Sequence, residues 1–100
     1  MIFIGKYNEF NPGQNYPSIK DFFSKTPYAG QDRVIHYLMN GDEDMASLKV
    51  HKDVITGKSI PMSVIGMNDG EYSWFNTLAY YVENYNLRLP EDFEKKILDS

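Results

Sequence analysis

The turn sequence Asn68-Asp69-Gly70 constrains the fold of this chain more than any other feature. Asp-Gly suits a tight hairpin because both central residues of such a turn can take positive φ angles. Before the turn, apolar residues alternate from Ile60 to Val64, which is typical of a half-buried strand. We therefore predict a hairpin whose two strands lie over residues 60–67 and 71–74.

The residues after this hairpin predict two helices. Apolar and aromatic residues at helical spacing indicate a helix from Trp74 or Phe75 to Tyr85, with Asn86 as its C-cap. Because Trp74 begins this stripe, we expect it in the core. Pro90 suits the first position of a last helix, since a helix leaves that N–H unbonded in any case.

The first half of the chain predicts two more helices. Ser18 is a suitable N-cap for a short helix over residues 19–25. A second helix begins between Ala29 and Asp32, and Asn40-Gly41 would end it with a left-handed cap.

Two segments predict further extended structure. Residues 2–4 form either a short strand or an apolar tail, and Leu48 and Val50 alternate with polar residues as in a strand. Together these patterns predict an α+β fold, in which a small antiparallel hairpin or sheet packs with three or four α-helices. At 100 residues, we expect one domain over residues 1–100.

Composition excludes several classes of function. The chain has no Cys, which rules out a disulfide scaffold, a thiol nucleophile and a Cys-ligated zinc. The N-terminus lacks the pattern of a signal peptide, and no apolar stretch approaches the ~18 residues that span a membrane. We expect a soluble, cytoplasmic protein. Its net charge of −4, without a Lys/Arg run, disfavours nucleic acid and favours a basic protein partner.

No motif for catalysis, a metal or a cofactor is present. Gly57-Lys58-Ser59 ends like a phosphate-binding loop, but Lys52 occupies the position of the required first glycine. His36 and His51 lack a partner at the spacing of a helical metal pair. We therefore expect no enzymatic activity, no metal and no cofactor, with the histidines at the surface or the edge of the core.

Two groups of carboxylates are the candidates for partner binding. One is predicted to open a loop after the second helix, and the other flanks Gly70 in the hairpin turn. An EF-hand spacing is missing from the first group, and the hairpin itself favours Asp before Gly70. Most of the aromatic residues fit a core, but one tyrosine falls off the main helical stripe and is expected to face outward. The predicted partner-binding residues are Asp42, Glu43, Asp44, Asp69, Glu71 and Tyr80.

Four segments of residues 53–97 carry a resemblance to a known class of proteins. They are Asp53-Val-Ile-Thr-Gly57, Asn68-Asp-Gly-Glu-Tyr-Ser-Trp74, Leu78-Ala-Tyr-Tyr-Val-Glu-Asn-Tyr85 and Leu89-Pro-Glu-Asp-Phe93. In these segments the chain resembles small bacterial immunity-type proteins of polymorphic toxin systems, including contact-dependent growth inhibition systems. The resemblance implies a cytosolic protein that binds and blocks one cognate toxin domain.

Two other readings of the sequence stay open. The chain fits an uncharacterised protein-binding or regulatory module, which could be a homo-oligomer. It also fits a small enzyme that uses Asp, Glu or His without a named motif. A symmetric apolar patch would favour the module, and a deep pocket holding carboxylates with shifted pKa values would favour the enzyme. The sequence does not predict the oligomeric state.

Overall fold

The computed structural model describes residues 1–47 and 49–99, which adopt the predicted α+β fold. Within them, four strands form a sheet in the order β1-β4-β3-β2. The strands are β1 (Ile2–Phe3), β2 (Asp42–Ser47), β3 (Val64–Asn68) and β4 (Tyr72–Phe75). The helices are a 3-10 helix (Ile19–Phe22), α1 (Gln31–Met39), α2 (Leu78–Tyr85) and α3 (Glu91–Leu98).

The hairpin predicted around Asp69-Gly70 is present. β3 and β4 pair antiparallel, and Gly70 has a φ angle of 92°, which an L side chain rarely adopts. The first strand begins at Val64, four residues later than predicted. Ile60 instead donates its backbone N–H to the carbonyl of His51, because the segment before Pro61 folds back on its own neighbours.

The predicted antiparallel hairpin lies within a sheet that is mixed, because one strand pair is parallel. β1 runs parallel to β4, with Ile2 opposite Tyr72. The backbone N–H of Ile4 donates to the carbonyl of Ser73 at 2.7 Å and extends this pairing. The apolar N-terminal residues therefore close the open edge of β4.

The acidic segment after α1 is a strand and not the predicted loop. β2 pairs antiparallel with β3, from Asp42 opposite Asn68 to Ser47 opposite Val64. A bulge interrupts the register between Glu43 and Met45. Pairing with β3 outweighs the low strand propensity of the acidic residues.

The other predicted strand in this part of the chain has no counterpart in the structure. Leu48 lies outside the described residues, and Val50 is exposed and belongs to no strand.

The helix after the hairpin begins at Leu78, because Trp74 and Phe75 belong to β4. Asn76 ends the strand: its side-chain oxygen accepts from the N–H of Ile65 and its amide donates to the carbonyl of Ser63. The predicted left-handed cap at Asn86 is confirmed, with a φ angle of 53°.

The other helix ends differ from the predictions by small but informative amounts. Asn40 has a φ angle of −122°, so it is not a left-handed cap. The next residue, Gly41, is a glycine for reasons of space, because a Cβ there would lie 2.8 Å from the ring of Trp74. The short helix capped by Ser18 is a 3-10 helix that ends at Phe22, since Phe23 bridges to Leu87. Pro90 precedes the last helix by one residue.

The core lies between the sheet and the three α-helices. Trp74 is 1% exposed, and its indole N–H donates to the carbonyl of Leu38 at 2.9 Å, which confirms its predicted place. Phe93 and Ile97 of α3 are equally buried, as their spacing predicted. The other fully buried apolar side chains are those of Ile19, Val34, Leu38, Val64, Tyr81, Val82 and Leu87.

Candidate functional site

The first candidate surface is the acidic edge, defined as Asp42, Glu43 and Asp44 of β2. All three are exposed, and β2 is the last strand of the sheet, so its outer side has no strand partner among the described residues. Asp44 accepts a hydrogen bond from the amide of Asn68. Within residues 1–47 and 49–99, none of the three carboxylates forms an ion pair. Their charge is therefore available to a partner.

Asp69 of the hairpin turn is bonded inside the protein. It accepts hydrogen bonds from the backbone N–H groups of Glu71 and Tyr72 and from the hydroxyl of Tyr37, and Lys96 lies 3.1 Å away. Burial alone would raise the pKa of Asp69, but the bonds from Tyr37 and the two backbone amides outweigh it and hold the pKa at about 2. This carboxylate fixes the hairpin and packs it on α1 and α3.

Glu71 lies in the same turn but is more open. Its side chain is 58% exposed and forms a salt bridge of 2.9 Å with Lys96. The ammonium group of Lys96 also lies 5.4 Å from the centre of the Tyr72 ring. The hydrogen bond to Glu71 is the main cause of the raised pKa of Lys96. Lys96 of α3 therefore neutralises part of the negative charge of the turn.

Tyr80, which was expected to face outward, is half-buried and bonded to Asp53. Its hydroxyl and that of Tyr85 both donate to the same carboxylate oxygen, at 2.7 and 2.5 Å. The other oxygen accepts the backbone N–H groups of Ile55 and Thr56. Asp53 is 1% exposed, and the bonds from Tyr85 and Tyr80 lower its pKa although burial would raise it.

A cavity of about 390 Å³ is the second candidate site, and no pattern in the sequence predicts it. It lies between the N-terminal segment, residues 50–54 and the start of α2. Its walls are largely apolar and include Phe3, Val54 and Leu78. Three segments that are distant in sequence form it, so no local pattern could have predicted it.

The cavity contains one of the two histidines. His51 Nδ1 lies 2.7 Å from the Thr77 hydroxyl oxygen. The imidazole ring and the Phe75 ring pack edge to face, with 5.2 Å between their centroids. Burial, with a smaller effect from Lys49, lowers the pKa of His51. Glu9 also lines the cavity, but its two carboxylate oxygens accept from the Ser18 hydroxyl and the N–H of Ile19.

The described part of the chain has no group of three or more His, Asp or Glu side chains that could hold a metal ion. None of the helices there has the length and apolar character needed to cross a membrane.

Comparisons of the chain with protein-family models, with curated proteins and with solved structures gave no match. What the protein binds must therefore be inferred from its own surfaces.

Proposed function

We propose that this protein is an immunity-type inhibitor, which binds a basic toxin domain in the bacterial cytoplasm through the acidic edge. The observation that carries the proposal is the location of three exposed carboxylates, without an ion pair in the described part of the chain, on the outermost strand of the sheet. A nuclease or other toxin domain with a basic active-site surface would find complementary charge there.

The geometry of β2 adds a second means of recognition. The outer side of an edge strand offers backbone N–H and C=O groups that an extended segment of a partner can pair with. Met45 is 72% exposed at the centre of β2 and supplies apolar contact area beside the carboxylates. Charge would bring the partner to this edge, and backbone pairing with apolar contact would hold it.

Protection of growing cells provides the direct test. The probe is the product of the gene adjacent to the one that encodes this chain, expressed under an inducible promoter with and without the chain. We expect the neighbouring product to arrest growth and the chain to restore it. A neighbour that is harmless, or one that remains toxic in the presence of the folded chain, contradicts the proposal.

Binding kinetics with the same product locate the surface. The variant Asp42→Asn/Glu43→Gln/Asp44→Asn should slow association about tenfold at low salt, because exposed charge chiefly steers the encounter. The variant Asp21→Asn/Glu83→Gln/Asp99→Asn is the matched control, since it removes the same charge from exposed positions elsewhere.

Comparing the two variants distinguishes the effect of charge at the acidic edge on the association rate from the effect of the protein's net charge. Association of the wild type should slow as salt rises, and association of the edge variant should depend less on salt. Equal effects of the edge variant and the control would mean that net charge alone, and not the acidic edge, attracts the partner.

A further inference from the structure

The cavity beside α2 has the size and lining of a small-molecule site. Clefts that bind small ligands measure about 300–1,000 Å³ and are mostly apolar with a few polar groups. At about 390 Å³, this cavity suits one ring and a short chain. Phe3, Phe10, Val54 and Leu78 supply the apolar surface.

The polar groups of the cavity favour a negative charge. His51 and Lys52 line it, and Lys49 is close enough to lower the pKa of His51. Within the described residues, neither lysine forms an ion pair. Glu9 is the opposing carboxylate, but both of its oxygens already accept hydrogen bonds from residues 18 and 19. The lining thus carries one lysine and one glutamate and has no net positive charge. The Glu9 carboxylate is already held by two hydrogen bonds, whereas the Lys52 ammonium group has no ion pair within the described residues.

We propose that the cavity binds a small carboxylic acid whose apolar body is about the size of one aromatic ring with a short chain. The body packs against the aromatic and aliphatic walls, and the carboxylate is bound by the imidazole of His51 and the ammonium group of Lys52. The acidic edge is not part of this cavity, so the site goes beyond the proposed toxin binding and can fail or succeed independently of it.

Protonation of His51 gives the site a pH dependence. Burial lowers the pKa of the free imidazole from its ordinary value of 6.5, whereas an anion beside it favours the charged form. Affinity should therefore rise as pH falls through and below about 6.5. The other titratable groups at the cavity do not reproduce this change. Hydrogen bonds from Ser18 and Ile19 lower the pKa of Glu9 although burial would raise it, and burial raises the pKa of Tyr81 to about 12.

A pair of matched probes tests the proposal by amide chemical shifts in NMR titrations of the whole chain. The acid 4-phenylbutyrate should bind with a Kd on the order of 1 mM, as expected for about a dozen heavy atoms. The alcohol 4-phenylbutan-1-ol has the same body without the charge, and we expect it to bind about fivefold more weakly. The shifts should be centred on the residues that line the cavity.

Substitutions at the mouth of the cavity identify the head group. His51→Gln, which keeps a polar partner for Thr77, should remove the pH dependence. Val50 is 66% exposed, so Val50→Asp leaves the fold intact and should weaken binding of the acid but not of the alcohol. Val50→Asn should change the binding of neither probe. Lys52→Gln should weaken binding of the acid but not of the alcohol, and Lys58→Gln, which lies outside the cavity, is its matched control.

Several outcomes overturn the proposal. They are the absence of saturable shifts up to about ten times the expected Kd, equal affinity for the acid and the alcohol, and shifts centred elsewhere. A short peptide with a C-terminal Phe that binds more than tenfold tighter than 4-phenylbutyrate would also overturn it, because the site would then recognise a chain end.

Discussion

The acidic edge and the β3–β4 turn carry similar side chains on the same sheet, but they use their charge differently. In the turn, Asp69 accepts bonds from two backbone amides and Tyr37, and Lys96 forms salt bridges with both Asp69 and Glu71. On β2, the three carboxylates have no ion pair within the described residues. The contrast shows that charge clustering alone does not distinguish a structural carboxylate from one that is free to bind.

The largest effect that separates the two regions is expected at Asp69. Asp69→Ala leaves the N–H groups of Glu71 and Tyr72 and the hydroxyl of Tyr37 without their acceptor, and it leaves Lys96 with one carboxylate partner fewer. Hydrogen bonds to charged groups contribute ~1.5–3 kcal/mol each, but these share one acceptor, so we expect a loss of about 3 kcal/mol. Urea unfolding at neutral pH measures it. A loss below about 1 kcal/mol would mean that Asp69, like the exposed carboxylates of β2, contributes little to stability.

The pH dependence of stability should also differ between the regions. The folded protein holds the pKa of Asp69 at about 2, below its ordinary value of 3.8, so the folded state binds fewer protons than the unfolded state. The resulting stability, about 2 kcal/mol, is fully present above about pH 4 and is lost as pH falls towards 2. Thermal unfolding of the wild type and Asp69→Asn over this range should therefore converge at low pH. Parallel curves would contradict the assignment.

A smaller effect is expected at the exposed member of the turn. Glu71 is 58% exposed, so its salt bridge with Lys96 is screened by water and salt. Glu71→Gln should lower the free energy of unfolding by about 0.5 kcal/mol or less, and the difference should vanish in 1 M salt. The measurement is urea unfolding at two salt concentrations. A difference that persists in high salt would mean that Glu71 stabilises the turn by something other than charge.

The smallest effect is expected at the acidic edge itself. Asp42→Asn/Glu43→Gln/Asp44→Asn should change the free energy of unfolding by no more than about 0.5 kcal/mol, because ordinary surface substitutions stay within this range. Calorimetry on the wild type and the variant checks it. A loss near that of Asp69→Ala would erase the contrast and give β2 a structural role.

The sequence predicted features that depend on neighbouring residues. The hairpin turn follows from the conformational freedom of Gly70, which takes a positive φ although Asp69 does not, and the end of α2 follows from the tolerance of Asn86 for positive φ. Trp74 was placed correctly in the core and at the junction of the return strand with the helix, and in the structure it belongs to the strand alone. It fits both the helical stripe and the alternation of a strand, and only the bonds of Asn76 to the preceding strand decide between them.

Features that depend on distant residues were not predictable. β2 looked like a loop because acidic residues are rare in strands, and only its pairing with β3 makes it one. The burial of Asp53 was not predictable, because its hydroxyl partners Tyr80 and Tyr85 lie 27 and 32 positions further along the chain. The same limit explains why Tyr80 was expected to face outward.

The bulge and the charges of β2 also bear on how the protein behaves at high concentration. An unprotected strand edge can template sheet growth between molecules, and the usual defences are charged side chains and irregular backbone. Glu43 contributes to both, since it carries a carboxylate and borders the bulge. Two copies that approached edge to edge would bring two sets of like charges together. High salt would screen that repulsion, so the strand that is proposed to bind a partner would become the starting point for aggregation.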